Sequence, residues 1–335
     1  MMDGQEAGGA KTGCGYSLLS GGLDSQLAIC VLREQGLHIE GVVFSSPFFK
    51  IDAAKRAAGQ LGVRLHVVDF TSDILGLVKH PPHGFGSALN PCIDCHSLMI
   101  RRAGEMMREN GFDFVATGEV LNQRPMSQNR QSLDVVERGA DLGGRLLRPL
   151  SALLLEPTLP EKEGIVDRSR LLGLNGRNRK PQIALAAKYG LTEYPSPAGG
   201  CMLTEKGFSR RLGDVRDHEG LDDLRLVKLL LHGRHFRLPG GAKCIAGRDS
   251  RDNQALKAAV MPGDVLVHTV NVPGPTLLLP GGASDADIDI ACGICAEYGD
   301  HGDRAEVVVR VIRDGDASER NTAPLSREIF SGYML

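Results

Sequence analysis

The sequence predicts an α/β protein, a doubly wound parallel sheet followed by a smaller α+β domain, and three observations predict it. Short apolar runs at residues 16–19, 39–44, 64–70 and 112–116 alternate with helix-length segments, the rhythm of strands joined by crossover helices. A glycine-bearing turn, Ser20-Gly21-Gly22-Leu23-Asp24-Ser25, stands between the first run and the apolar helical segment 26–33. Around Glu205 the pattern changes to helices followed by short strands and glycine turns. The boundaries expected are a flexible tail at 1–13, a first domain at 14–205 and a second at 206–335.

Residues 16–19 read as a buried strand and residues 26–32 as the opening of a helix. A strand, a glycine turn and a helix make an anion site. Gly21 and Gly22 permit the turn and close backbone approach, the helix N-terminus offers unpaired N–H groups, and Ser20 and Ser25 add hydroxyl donors. No Lys follows the glycines, so this is not a Walker loop, and the spacing is not G-x-G-x-x-G. Asp24 would repel a phosphate unless a cation intervenes, so it is expected to meet Mg2+ on a polyphosphate. The six-residue string resembles the PP-loop of the ATP pyrophosphatases, a HUP-like fold. That resemblance implies ATP as substrate, cut between its α and β phosphates, with AMP left on an acceptor.

The strands that follow place further residues at the same edge. A second strand at 39–44 ends near Phe44 and Ser45, beside the loop, where they would reach adenine or ribose; a helix at 52–61 and a third strand at 64–70 come next. The strand at 112–116 runs into Thr117-Gly118-Glu119, and Gly118 allows a nucleotide to approach closely. The loop His80-Pro81-Pro82-His83-Gly84-Phe85-Gly86 is expected to fold over the site. Residues 122–130 are polar and turn-rich, then a helical run reaches Arg138 and a short strand or turn returns at 146–152. Basic residues gather at Lys162, Arg168, Arg170, Arg177, Arg179 and Lys180, which suits a phosphate backbone or a solvated helix face.

Composition bounds the function. The chain has 335 residues, 42% of them hydrophobic, and a formal net charge of -2, enough for two domains and not the profile of a uniformly basic nucleic-acid binder. With no apolar signal core in residues 1–13 and no run of eighteen apolar residues, a cytoplasmic protein without membrane contact is expected. Trp is absent and aromatics make up 4%, so few rings serve base stacking.

Eight cysteines in such a chain point to metal or redox chemistry rather than a disulfide framework. Cys14, Cys30 and Cys244 stand alone among apolar neighbours as small hydrophobes, and Cys292 and Cys295 read as buried thiols. Cys92 and Cys95 form a C-x-x-C before the helix at 97–109, where the helix dipole is expected to lower their thiol pKa. Cys201 follows Tyr194-Pro195-Ser196-Pro197-Ala198-Gly199-Gly200, a loop expected to display it. The three make either three sulfur ligands with one open position or a nucleophile and its resolving partner.

The PP-loop at 20–25, the Asn-Pro-x-x-x-Cys element at 90–95 and the late Cys201 together resemble the tRNA thiolases, most closely the 2-thiouridylases, over residues 15–205. The resemblance implies that ATP adenylates a uridine carbonyl of tRNA, pyrophosphate leaves, and sulfur on a cysteine displaces AMP. It makes Cys95 the first thiol, Cys201 the persulfide bearer, Asp24 the metal and pyrophosphate residue, and a cysteine desulfurase or another sulfur donor the partner. Many 2-thiouridylases have Asp where this chain has Cys92. The C-x-x-C plus a third cysteine is similar to the iron-sulfur tRNA thiolases, in which three cysteines hold a 4Fe–4S cluster with one iron free to carry sulfur. The superfluous third thiol favours the cluster, held by Cys92, Cys95 and Cys201. A zinc site would draw on His96 as a fourth ligand.

In the second domain, helices are expected at 208–212 and 221–231, strands at 233–238 and 242–248 around a glycine turn, and a helix at 249–260. Strands at 263–271 and 276–279, a helix at 286–298 and a closing strand at 305–313 follow. The strings at 233–238 and 247–253, with 264–268 and Val272-Pro273-Gly274, resemble the NFACT-type RNA-binding domain over residues 225–335. By that resemblance Arg234, Arg237, Arg248, Arg251 and His268 face RNA. Two other readings compete, a PP-loop enzyme acting on a small molecule and an RNA-binding adaptor with an inactive PP-loop. The intact Asp24 and the three cysteines argue against the adaptor.

Overall fold

The structure is a computed structural model that describes residues 13–124, 126–196 and 201–335. Residues 1–12 of the expected tail, Pro125 of the polar run and residues 197–200 of the cysteine loop lie outside the described residues. The chain divides into two units, Met1–Thr204 and Glu205–Leu335.

The first unit runs β1 (Cys14–Leu18), α1 (Leu23–Arg33), β2 (His38–Ser45), α2 (Asp52–Leu61), β3 (Leu65–Asp69), α3 (Thr71–Lys79), α4 (Cys92–Glu109), β4 (Phe114–Ala116), α5 (Arg130–Ala140), β5 (Leu146–Leu147), the one-turn α6 (Leu159–Lys162) and α7 (Lys180–Lys188). Its five strands are parallel in the order β3-β2-β1-β4-β5, as the α/β rhythm predicts. Central β1 sets Tyr16 opposite both Glu40 of β2 and Val115 of β4. Helices α1 and α4 both pack on β1; α1 also meets α2 and α7, while α4 meets α3 and α5. Two helix groups thus cover the two sheet faces. Helix α1 buries Leu23, Leu27, Ala28, Ile29, Val31 and Leu32, which is why it reads as apolar on most sides. Its chain reversal brings the carboxyl ends of β1, β2 and β4 to one edge, with strand order reversing at β1.

The second unit runs α8 (Lys206–His218), α9 (Leu224–Leu229), β6 (Arg234–Arg237), β7 (Lys243–Ala246), α10 (Ser250–Ala258), β8 (Val265–Thr269), β9 (Thr276–Leu279), α11 (Asp285–Tyr298), β10 (Val307–Arg313), β11 (Asp316–Thr322) and the one-turn α12 (Arg327–Phe330). Its six strands form an antiparallel sheet in the order β11-β10-β8-β9-β7-β6. Helix α11 packs on β8 and β10, and Phe236, Leu277, Val309, Ile294, Cys292 and Cys295 share its core. Asp249 caps α10, its side chain accepting from Asp252 N–H.

Three expectations change. The strand at 305–313 does not close the sheet: β11 pairs with it through a turn at Asp314 and Gly315, whose φ values of 50° and 92° give the left-handed pair a two-residue hairpin requires. Helix α3 fills the span between β3 and the proline loop, and α4 begins at Cys92 rather than residue 97, so both cysteines lie inside its first turns. Among the described residues, no helix is long and apolar enough to cross a membrane.

Candidate functional site

The loop after β1 has the geometry an anion site needs. Gly21 has φ 84°, and a Cβ there would stand 2.3 Å from the Ala53 backbone, so only glycine fits. Gly22 is the N-cap of α1, with extended backbone and no capping side chain, which leaves the first N–H groups of the helix facing the loop. Ser25 is turned inward, its hydroxyl donating to the Gly22 carbonyl at 2.8 Å, and Ser20 accepts from Gly22 N–H at 3.3 Å. Exposed Ser20 and the α1 N-terminus line the loop together.

Asp24 in the first turn of α1 is held by one oxygen. Gln123 Nε2 donates to Asp24 Oδ2 at 2.6 Å, and Gln182 Nε2 donates to Gln123 Oε1 at 2.9 Å. The other carboxylate oxygen, Asp24 Oδ1, is buried and has no hydrogen-bond partner. A buried carboxylate oxygen without a donor is costly, and a hard cation that also meets substrate phosphate would satisfy it, so the residue fits Mg2+. Gln123 and Gln182 were not singled out from sequence; each lies far along the chain from its partner.

Gly118 acts by packing. A Cβ there would meet Ser25 N at 2.5 Å and the Asp24 carbonyl carbon at 2.6 Å, so its bare Cα lets β4 approach the first turn of α1. The space expected for a nucleotide is taken by that helix. Phe44 is likewise buried, 5.2 Å from the Phe70 ring centroid, which places it in the core instead of against adenine. Ser45 donates to the Val68 carbonyl at 3.3 Å.

The three cysteines come together at the same sheet edge. Cys92 and Cys95 lie on the opening turns of α4, and Asn90 Nδ2 donates to Cys92 Sγ at 3.0 Å. Cys201 forms an isolated antiparallel bridge with Phe49, just beyond β2, and Met202 N–H donates to the Phe48 carbonyl at 3.2 Å. Thr192 and Glu193, earlier in the chain, are clamped: Gln60 Oε1 accepts from their N–H groups, both at 3.0 Å, and buried Gln26 donates to the Glu193 carbonyl at 3.0 Å. All three thiols are free.

Their surroundings correct two expectations. Cys201 is half-buried rather than displayed, and burial pushes its thiol up to about 11. Burial, with Cys201 and Cys92 close enough to add to it, pushes the Cys95 thiol well above its usual range, so the α4 dipole does not win there. Among the described residues, no three His, Cys, Asp or Glu side chains are grouped as a single metal ion requires. His96, the fourth ligand a zinc site would draw on, turns to Glu119, Nδ1 to Oε1 3.3 Å. Cys92 and Cys95 on α4 and Cys201 beside Phe49 offer three thiols, the number a cluster with one open iron takes, each thiolate on a different iron.

Around them the loop 80–86 is pinned, with His83 Nδ1 2.6 Å from the buried Asp94 carboxylate. Glu119, following Gly118, meets Arg148 Nε at 3.0 Å, and Arg148 also donates to Glu137 at 2.8 Å. Burial raises the Glu119 carboxyl, but Arg148 and His96 outweigh it and hold it down to about 2.

In the second unit the expected RNA-facing residues divide. Arg237 is corrected: it forms paired bonds to Asp214 (3.0 and 2.7 Å) and to Glu219 (2.6 and 3.0 Å), so its guanidinium is committed within the fold. Arg234 lies 4.9 Å from the Tyr298 ring centroid. Arg248 bonds Asp252 at 2.7 Å yet stays 48% exposed, and Arg251 is exposed. His268 Nδ1 meets the Thr269 carbonyl at 3.0 Å. Cys292 and Cys295 are buried in the core, their thiols pushed up by burial to about 11 and about 12.

Comparison with known proteins places these regions. Residues 10–173 match the model of the family described as Thiamine biosynthesis protein (ThiI), and residues 233–334 match the NFACT protein RNA binding domain. A probable tRNA sulfurtransferase of Caldanaerobacter subterraneus subsp. tengcongensis is 32% identical over 165 residues, covering 47% of this chain and 40% of that protein. The tRNA-specific 2-thiouridylase MnmA of Roseiflexus sp. is 26% identical over 256 residues, covering 66% of each chain. That of Sulfurimonas denitrificans is 34% identical over 115 residues, covering 31% of this chain and 33% of that protein. The chain thus spans less than two thirds of the curated relatives it matches, and Cys201 lies beyond the ThiI match. The resemblance read from the sequence is borne out: the chain carries a PP-loop region of the ThiI and 2-thiouridylase kind, followed by an NFACT-type RNA-binding region.

Proposed function

We propose that this protein is an ATP-dependent tRNA sulfurtransferase that adenylates a uridine carbonyl and then installs sulfur, with 2-thiouridine the product favoured by the 2-thiouridylase likeness. The observation that carries it is the Asp24 oxygen left buried and unpartnered at the mouth of a glycine loop, on the sheet edge where three free cysteines gather. In this reading the uridine oxygen bonds the α-phosphorus of ATP and the bond to the β-phosphate oxygen breaks, releasing pyrophosphate. Ser20 and the α1 N-terminus bind the phosphates, Ser25 steadies the loop through the Gly22 carbonyl, and Gln123 orients Asp24 toward the cation. Mg2+ on Asp24 supplies charge neutralisation of the leaving pyrophosphate.

Sulfur then attacks the activated carbon and AMP leaves. Cys92, Cys95 and Cys201 would hold a 4Fe–4S cluster, which would supply a sulfur-carrying site; in the alternative relay the outer sulfur of a Cys201 persulfide attacks the carbon as AMP leaves, and the Cys95 thiolate then breaks the S–S bond, freeing the thiouridine and leaving a Cys95–Cys201 disulfide that an external thiol reductant reopens. A cysteine desulfurase or another sulfur donor is the expected partner, and the setting is cytoplasmic. The burial of Cys95 and the partial burial of Cys201 support shielding of the sulfur from water. Arg234, Arg248, Arg251 and His268 serve RNA; Arg237 serves the fold.

The test is tRNA-stimulated pyrophosphate release together with mass spectrometry of the nucleosides formed, in wild type and Cys201→Ala. Expected are a thiolated uridine in wild type, and pyrophosphate release without thiolation in the variant. Thiolation by Cys201→Ala removes the role of that thiol, and turnover indifferent to tRNA turns the reading toward a small-molecule substrate. Iron and acid-labile sulfide in protein prepared without oxygen, lost with any one of the three cysteines, separate cluster from relay.

A further inference from the structure

Helix α8 lies upstream of the matched RNA-binding region, which begins at residue 233. Its Asp214 bridges the β6–β7 hairpin, accepting from Arg237 at 2.7 Å and from Lys243 at 2.6 Å, and these two residues are register partners. Arg237 also donates to Glu219, just past the C-terminus of α8, and to the Gly241 carbonyl in the hairpin turn, at 2.6 and 2.8 Å. The C-terminal end of α8 therefore sits at the turn, and its N-terminal end runs toward the open end of the hairpin. That is the end where Arg234 begins β6 and where β7 leads through Ala246 into Arg248.

Arg211 stands three residues before Asp214, so it shares the hairpin-facing side of α8. Its guanidinium lies 5.8 Å from the ring centroid of buried Phe208, and its Nε is buried with no hydrogen-bond partner. Arg210 beside it is exposed. The neighbouring arginines of this unit find carboxylates: Arg216 meets Asp217, Arg225 meets Asp264 and Arg237 meets Asp214. Among the described residues neither Arg210 nor Arg211 forms an ion pair. Arg248 and Arg210 lie near enough to Arg211 that, after burial itself, their charges press its pKa down. Arg248 keeps Asp252 as a partner at 2.7 Å, but no carboxylate pairs with Arg210 or Arg211 among the described residues, and like charges drawn together around a half-buried guanidinium are stabilised when an anion joins them.

We infer that Arg210 and Arg211 of α8, with Arg248 between β7 and α10, form a binding site for backbone phosphate of RNA, extending the RNA surface beyond the matched domain. The inference rests on the RNA-binding reading of this unit and adds a helix that no sequence match assigns to it. Forked guanidinium groups suit phosphate oxygens, and a phosphate contact binds without regard to base sequence.

The test uses the full chain and an unmodified tRNA transcript, with affinity read by fluorescence anisotropy at several salt concentrations. Arg210→Gln with Arg211→Gln is expected to lower the slope of log affinity against log salt by about 2, and Arg210→Glu alone to lower it by about 1 or more. Arg210 is exposed, so its variant keeps the result readable if the Arg211 change disturbs folding. Wild-type binding with unchanged slopes in both variants overturns the inference and leaves the RNA reading standing. Failure of wild type to bind tRNA overturns both. Saturable binding of inorganic phosphate that the variants lose, with tRNA binding unchanged, also overturns it, because the site then serves a free phosphate.

Discussion

Asp24 is placed to distinguish a working loop from a merely folded one, because one of its oxygens is spoken for by Gln123 and the other is buried and unpartnered. Asp24→Asn keeps the shape and removes the charge a cation needs. Pyrophosphate release is expected to fall by about 10²–10³, the size of loss seen when one preorganised charge-stabilising group is removed, with the melting temperature little changed. Gln123→Leu should cost less, because it frees the carboxylate without removing it. Equal rates for Asp24→Asn and wild type would exclude a cation role. The expectation that Asp24 meets a cation is legible in six residues, since repulsion between a carboxylate and a phosphate is local chemistry. Gln123 and Gln182 were not legible, because their partners lie 99 and 59 residues away. Arg237 misled for the same reason: its carboxylates are supplied from α8 and its C-terminal end.

Buried Glu119 offers a second reading at this scale. Its carboxyl is held at about 2, below its ordinary 4.5, by Arg148 and His96 acting against burial. A depressed folded-state pKa means the stability it confers is fully present above the unfolded value. It is lost as pH falls from about 4.5 through about 2. Glu119→Gln leaves Arg148 buried with a weaker partner and is expected to destabilise at neutral pH by about 3–5 kcal/mol. The gap between the thermal melts of variant and wild type should shrink as pH is lowered across that window. A gap constant from pH 7 to pH 3 would show that Glu119 contributes by shape alone.

At the scale of elements, the join between β4 and α1 decides whether the loop is aimed correctly. Gly118 admits the backbone of Asp24 and Ser25 where a Cβ would stand 2.5 Å from the nearest atom. Gly118→Ala must push α1 away from β4, so it is expected to cost about 1–3 kcal/mol and to depress pyrophosphate release more than stability alone explains. Gly59→Ala on α2, with nothing within 4 Å of the added carbon, is the control and should stabilise by about 0.5–1 kcal/mol. Chemical denaturation and ATP turnover of the two variants check the pair. Matching behaviour would mean Gly118 is not a contact point. Sequence periodicity located the strands and α1 well, because each carries an apolar run bounded by turns. It missed α3, whose nine residues directly follow β3 with only Phe70 between, and it missed β11, whose polar Asp-Ala-Ser-Glu-Arg-Asn-Thr has no buried face to announce it.

The whole molecule pairs two units with separate cores, one built on a parallel sheet and one on an antiparallel sheet, and each element of the reading falls within a single unit. Phosphate loop and cysteines belong to Met1–Thr204, while the arginines proposed to meet RNA, including those of α8, belong to Glu205–Leu335. A domain with its own core can fold alone, so truncation after Thr204 should leave ATP binding in place while removing the phosphate contacts that hold tRNA. Pyrophosphate release by residues 1–204 is then expected to keep its dependence on ATP concentration and to require far more tRNA for half-maximal rate. Raising salt should weaken the full chain's response to tRNA steeply and the truncated chain's only slightly, because counterion release scales with the number of phosphates held. Residues 205–335 alone should bind the same tRNA with the full chain's salt slope. If the truncated chain instead shows the same tRNA requirement and slope as the whole, the RNA is held by the PP-loop unit, and the basic stretch from Lys162 to Lys180 becomes the surface to mutate.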